Sequence, residues 1–304
     1  MKKKVLIGPS SFSAIDRSPL ENLLAAGFEV IDNPFKRKIT QEELVDLLPG
    51  VHGLIAGLET LDRDVMESSD LKVISRCGSG MSNVDQEAAR ELGIKVYCTP
   101  DGPTNSVAEL TVGMLISLIR LVPPMDTALH NNMWDKKIGF ELGGKTLLII
   151  GFGRIGRRVS ELLQPFHVNI IVSDPFLNVG NDAVKVLPLD SALQQADIIA
   201  IHASGEDVIL GEKEFSMMKE GVFLLNGARG GLIDENCLAH NLENGRVTGV
   251  WLDSYSREPY EGPLVRFPQA ILTPHVGSYT QECRKRMETE AAENLIAGLT
   301  EERD

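Results

Sequence analysis

The run Leu147-Leu-Ile-Ile150 leads directly into Gly151-Phe-Gly153-Arg-Ile-Gly156. A β-type apolar run that feeds a glycine turn and opens a helix, expected here over Arg157–Gln164, suits a pyrophosphate. Gly151 permits the tight turn, and Gly153 lets a phosphate approach the backbone. Gly156 lets the helix pack close to the strand, with its N-terminal N–H groups facing the ligand. Such spacing alone is a weak signal, equally met by a ligand-free turn, but an acid strengthens it. Asp174 ends the next apolar run, 18 residues beyond Gly156. A carboxylate there accepts hydrogen bonds from adenosine ribose hydroxyls and repels a 2′-phosphate. No Lys or Arg follows before Lys185, which predicts NAD rather than NADP.

Hydride transfer to or from a carbinol carbon needs a group that exchanges the hydroxyl proton near neutral pH, and histidine suits that best. Six histidines compete. His52, His130, His167 and His240 lie in helical or linker contexts with polar neighbours, and His202 ends a candidate strand. His275 differs, because Thr273-Pro-His-Val-Gly277 follows the last strand at its carboxyl end, where open α/β sheets bind ligands. A carboxylate partner would hold its tautomer and stabilise the imidazolium formed on alcohol oxidation. Residue type leaves Asp253, Glu258 and Glu261 open for that part. Arg229, in Asn226-Gly-Ala-Arg-Gly-Gly231, has the fork to clamp a substrate carboxylate and polarise the adjacent carbonyl.

The elements that must position these residues alternate between short β-rich runs and helical patterns, the mark of parallel α/β sheets. A first series of strands is expected at 4–8, 28–31, 53–56, 72–75 and 95–98. A second is expected at 146–150, 169–173, 197–202, 222–226, 249–253 and 270–273, after a long apolar helix near 106–121 stopped by Pro123-Pro124. Ser18-Pro19 reads as an N-cap and N1 proline, Thr40-Gln-Glu-Glu43 as a capping box, and Asn83–Gly93 as a capped helix. The last helix, 281–299, is amphipathic and is expected to dock on the first domain. The predicted fold is α/β, with two doubly wound parallel-sheet domains.

Composition narrows the class. The 304 residues carry 43 acids against 30 bases, net −13, with a pI near 5.0, so nucleic acid is not an expected partner. The longest apolar stretch is interrupted by Arg120 and too short for a bilayer, and the basic start lacks an apolar leader core. Cys77, Cys98, Cys237 and Cys283 show neither CxxC nor metal spacing. Reduced thiols, no metal, no membrane and a cytoplasmic location are expected.

Several separated motifs together resemble the D-isomer-specific 2-hydroxyacid dehydrogenases, in their phosphoglycerate-dehydrogenase-like branch. They are Arg76-Cys-Gly-Ser-Gly-Met-Ser-Asn-Val-Asp85, the helix Ala108–Arg120, Leu142–Gly156, Asn226–Glu235, Arg257-Glu-Pro259 and Thr273–Gly277. The resemblance implies that Arg229 binds the substrate carboxylate and carbonyl, His275 is the acid/base, and Glu258 orients it. It implies that main-chain N–H groups at Ser79 and Gly80 hold the substrate carboxylate. Arg154 and Ile155 main-chain groups would hold the pyrophosphate, and Asp253 would face the nicotinamide carboxamide. Ser79, Ala203, Ala228 and Gly277 would touch the nicotinamide half. A flavodoxin-like substrate domain, 1–98 completed by 280–304, is implied beside a Rossmann cofactor domain, 99–279, with a homodimer through the cofactor domains.

The expected activity is NAD-dependent interconversion of a D-2-hydroxy acid and its 2-oxo acid, with 3-phosphoglycerate the leading substrate. Reduction of hydroxypyruvate, glyoxylate or another 2-oxo acid is the alternative, and an NAD-sensing corepressor-type scaffold the rival of another class. Two departures stand out. Ala203-Ser204-Gly205 replaces the family's proline after His202, and Trp251 stands where a small residue is usual, either shaping the pocket or filling a gap between domains.

Overall fold

The alternating apolar runs become parallel strands throughout. The computed structural model describes residues 2–177, 184–205 and 207–301. It divides into one unit running up to Pro103 and resuming at Ser278, and a second spanning Thr104–Gly277.

In the first unit, β1 (Lys4–Ile7), β2 (Glu29–Ile31), β3 (Val51–Ala56), β4 (Val73–Arg76) and β5 (Lys95–Cys98) form one sheet in the order β2-β1-β3-β4-β5. Every pairing is parallel, which is the flavodoxin-like order. Side chains alternate across each strand, so neighbours serve opposite cores. Leu6, Leu54 and Ile74 pack with Leu44, Val65 and Ala88 on one face, while Val5, Ile55 and Val73 pack with Leu23 and the C-terminal helix Gln281–Thr300 on the other. Leu295 and Leu299 of that helix are buried. At about 1.5–3 kcal/mol per buried leucine, this makes the helix an integral layer of the first unit.

In the second unit, β6 (Thr146–Ile150), β7 (Asn169–Ser173), β8 (Lys185–Val186), β9 (Ile198–Ile201), β10 (Val222–Asn226), β11 (Val247–Leu252) and β12 (Ala270–Leu272) pair in the order β12-β11-β10-β9-β6-β7-β8. All of these pairings are parallel too. The chain winds outward from β6 to β8, then crosses back to β9 and continues the other way. The strand order therefore reverses between β6 and β9, where a Rossmann sheet binds its ligand. Leu148, Ile150, Ile199 and Leu224 face one core; Leu147, Ile149, Ile198 and Trp251 face the other.

Several local expectations are corrected. Pro123 and Pro124 do not simply end the long helix. It runs Thr104–Ile119, Leu121 takes a left-handed φ of 54°, and the prolines sit in the first turn of the next helix, Val122–His130. Proline is tolerated there because first-turn N–H groups have no partner within the helix. Ser18 is the first residue of its helix rather than the cap, and its N–H donates to Asp16. Asp85, not Asn83, caps the helix Gln86–Glu91. The Thr40–Glu43 capping box forms as its spacing predicts. His52 lies on β3, not in a helix or linker, and the two-residue strand β8 carries too short a pattern to be read. Trp251 is fully buried in the core of the second unit, with its indole N–H donating to Thr273 at 3.0 Å. Among the described residues, no single helix is long and apolar enough to cross a membrane.

Candidate active site

The glycine turn after β6 is shaped by backbone contacts. Gly151 has φ +87°, and a Cβ there would stand 2.5 Å from the main chain of Ala203 after β9. A Cβ on Gly156 would meet the Gly151 carbonyl at 2.3 Å, so the helix packs directly on the turn. Gly153 is different: a Cβ there would meet nothing within 4 Å. Its glycine leaves room for something other than protein. The helix begins at Arg154, three residues earlier than the sequence suggests, and Gly153 offers it no side-chain cap. The main-chain N–H groups of Arg154 and Ile155 thus belong to the first turn, where a helix offers its positive end to an anion.

Asp174 follows β7, and hydrogen bonds fix its carboxylate. Oδ2 accepts the Phe152 N–H inside the glycine turn at 2.7 Å, and Oδ1 accepts the Phe176 N–H at 2.9 Å. Open space at Gly153, an uncapped helix start and a carboxylate pinned over the same turn fit a dinucleotide. Gly151, Gly153, Gly156, Asp174 and Ala203 come together at this edge.

The chemistry-bearing side chains gather after β10, β11 and β12, in the same unit. His275 adopts φ +54°, a left-handed conformation that a non-glycine residue takes at a cost of order 1 kcal/mol or more. Asp253 holds it there. Its Oδ1 accepts the Val276 N–H at 2.9 Å and the Thr273 hydroxyl at 2.6 Å, while Oδ2 accepts the Gly277 N–H at 2.7 Å. The 3% exposed Asp253 is thus a clamp on the His275 loop, in addition to the role facing the cofactor that the family resemblance implies. Thr273 is the further residue that residue types alone did not single out.

The His275 Nδ1 lies 3.0 Å from both Glu258 carboxylate oxygens. Glu258 Oε1 is itself set by the Tyr255 N–H at 3.2 Å. Of the open carboxylates, Glu258 is therefore the one in contact with the imidazole. With Nδ1 facing the carboxylate, Nε2 is the nitrogen left to exchange a proton. His202 contrasts sharply. Both of its ring nitrogens are buried and, among the described residues, have no hydrogen-bond partner, and desolvation pushes its pKa down to about 4. It is a neutral packing residue near pH 7.

Arg229 follows β10 in a turn bracketed by Asn226, whose side chain donates to the Arg229 carbonyl at 2.8 Å and accepts the Ala228 N–H at 3.0 Å. Arg229 Nη1 donates to the Ala228 carbonyl at 2.8 Å. Gly230 packs so closely that a Cβ would fall 1.8 Å from the Tyr255 main chain. The arginine turn therefore rests on the loop that positions Glu258. Ser79 and Gly80 lie in the first unit, in the loop after β4, with Ser79 exposed.

Residues 112–277 match the family model described as the D-isomer specific 2-hydroxyacid dehydrogenase NAD binding domain. A D-3-phosphoglycerate dehydrogenase of Rattus norvegicus is 35% identical over 305 residues, covering 97% of this chain. The chain spans 56% of that relative's length. A hydroxypyruvate reductase of Thermotoga maritima is 34% identical over 272 residues, covering 86% of this chain and 89% of the relative. The crystal structure of a glyoxylate reductase from Paecilomyes thermophila superposes with a TM-score of 0.88 at 29% identity, covering 99% of this chain and 96% of that one. The matched segment takes in the glycine turn, Asp174, Arg229, Glu258 and His275, and with it the chain belongs to the D-isomer-specific 2-hydroxyacid dehydrogenases and carries their NAD-binding domain.

Proposed function

We propose that this chain interconverts a D-2-hydroxy acid and its 2-oxo acid. The observation that carries the reading is the His275–Glu258 pair, held beside the Arg229 turn by the Asp253 clamp. NAD, when bound, supplies the hydride acceptor in oxidation and, reduced, the hydride donor. In oxidation, His275 Nε2 takes the hydroxyl proton as the C2 hydrogen leaves with its electron pair, and Glu258 stabilises the resulting imidazolium. In reduction, the imidazolium returns that proton to the carbonyl oxygen. Arg229 binds the substrate carboxylate and polarises the C2 carbonyl, and the N–H groups of Ser79 and Gly80 also serve the carboxylate. Asp253 faces the carboxamide, while Ser79, Ala203, Ala228 and Gly277 contact the nicotinamide half. In this reading the first unit is the substrate domain.

A panel of 2-oxo acids with NADH tests the reaction. Turnover of at least one member is expected, at a median enzyme rate of about 10 per second. Tight NADH binding without turnover of any member would leave a nucleotide-sensing scaffold as the better description. Phosphoglycerate and hydroxypyruvate, named for relatives, are the substrates to compare first. Cofactor choice has its own test. Asp174→Ala should cut the preference for NAD over NADP by about 10- to 100-fold, since the carboxylate both accepts ribose hydroxyls and repels a 2′-phosphate. An unchanged ratio in kcat/KM would remove Asp174 from the ribose site.

A homodimer through the cofactor domain is supported by exposed apolar side chains beyond the long helix. Trp134 is 79% exposed and Ile138 93%, with Leu129, Met133 and Phe140 also open. Such a stretch suits a protein surface better than water. Four free cysteines accord with a cytoplasmic location.

A further inference from the structure

One buried carboxylate takes no part in the reaction just described. Glu59 follows β3 in the first unit and is 1% exposed. Its Oε2 accepts the Gly57 N–H at 2.5 Å. Its carboxylate also lies against Gly8, after β1, where a Cβ would stand 2.8 Å from Oε1. Two neighbouring strand ends thus forgo side chains to admit it. Strand order in this sheet reverses between β1 and β3, and ligands bind open α/β sheets at the carboxyl ends flanking such a reversal.

The loop bearing Glu59 is tied to the one after β4. Asn83 Nδ2 donates to the carbonyls of Gly57 and Glu59, at 3.1 and 2.6 Å. Arg76, the last residue of β4 and 9% exposed, donates to the Cys77 carbonyl, two residues before Ser79. Burial pushes the Glu59 carboxyl above its ordinary range, opposed by main-chain N–H groups and then by the charges of Arg76 and Lys38. Glu59, Arg76 and the Ser79–Gly80 segment therefore share one edge of one unit.

A phosphorylated substrate would need surplus cations here, and carboxylates engage Arg63 and Arg37, two of the cations the sequence offers. Arg63 is engaged by Glu67 and, at 2.6 Å, by Glu91. Arg37 of the 36–38 basic cluster is bound through both of its terminal nitrogens by Glu43. The charge of Arg76 acts on the Glu59 carboxyl. We propose that Glu59 is a specificity residue that disfavours a second anionic group on the substrate. The chain then acts on an unphosphorylated 2-oxo acid whose far end is neutral and can donate a hydrogen bond, as a hydroxyl does. This rests on the reaction proposed above. A carboxylate lining the substrate's far end in a weakly polarisable interior separates a neutral from an anionic substrate by about 10- to 100-fold.

Steady-state reduction of hydroxypyruvate and of its 3-phosphate ester by NADH, in the native protein and in Glu59→Gln, tests it. The native protein should favour hydroxypyruvate by about tenfold or more in kcat/KM, and Glu59→Gln should move the ratio toward the ester by about tenfold. Reduction of neither acid, nor of any other 2-oxo acid, defeats the reaction on which this rests. Reduction that favours the ester overturns the selectivity while leaving the reaction standing, and an unmoved ratio in folded Glu59→Gln overturns the role of Glu59. Should that variant not fold, inhibition of the native protein decides: D-glycerate should bind at least tenfold more tightly than its 3-phosphate, and the reverse order overturns the proposal.

Discussion

His275→Ala should lower kcat/KM for 2-oxo acid reduction by about 10³- to 10⁴-fold while leaving NADH binding, followed by its fluorescence, within about threefold of native. The expectation follows from what the imidazole does in place. Its Nδ1 is committed to both oxygens of Glu258 at 3.0 Å, so the ring is oriented and Nε2 has one task. Removing the ring removes the proton donor, and no neighbour can replace it. The ring nitrogens of His202 are buried and its pKa is pushed down to about 4, leaving it neutral near pH 7. Tyr255 is held by the carbonyls of Leu252 and Thr273, with burial driving its hydroxyl well above the usual range. Glu258→Gln should cost less, about 10- to 100-fold, because the ring keeps its place in the clamped loop but loses the charge that stabilises its protonated form. A His275→Ala protein with native kcat/KM would move the acid/base to another group altogether.

How far the sequence foretells this arrangement depends on the distance over which each feature is determined. The glycine turn and Asp174 are legible because their chemistry is local: a strand, a turn and an acid at fixed spacing. The strands are legible because alternate residues must reach two different cores, as Val5 and Leu6 or Ile198 and Ile199 do. Helix ends are less so. Asn83 and Asp85 are both good capping residues, and only the backbone path gives the cap to Asp85 while sending the Asn83 amide to the β3 loop. The Asp253 clamp is not legible at all. It exists because β11 and β12 are neighbours in register, with Leu252 opposite Leu272, which brings Thr273–Gly277 under a carboxylate 20 or more residues earlier. Trp251 is ambiguous for the same reason: its size suits a pocket wall or a filler between domains, and it packs in the core of the second unit with Gly227 leaving space for its ring. Residue type leaves three carboxylates for His275; the family resemblance points to Glu258, and contact across 17 residues singles out the same one.

Arg229→Ala should be the other severe loss, about 10³-fold in kcat/KM, with a raised KM as well as a lowered kcat. A guanidinium can hold a carboxylate through two parallel N–H bonds and still lie against a neighbouring carbonyl oxygen as negative charge develops on it, so it acts on both ground and transition states. The surroundings of Arg229 are arranged for geometry rather than for charge alone. Asn226 closes its turn from both sides, and Gly230 seats that turn on the main chain of Tyr255, which in turn donates to Glu258. The arginine and the acid/base pair therefore share one support, and their relative position is set by main chain rather than by flexible side chains. Arg229→Lys discriminates geometry from charge. Lysine keeps the positive charge but not the planar fork, so it should recover no more than about tenfold over alanine. Recovery to the native rate would mean that a point charge suffices and that the bracketed turn serves the fold rather than the reaction.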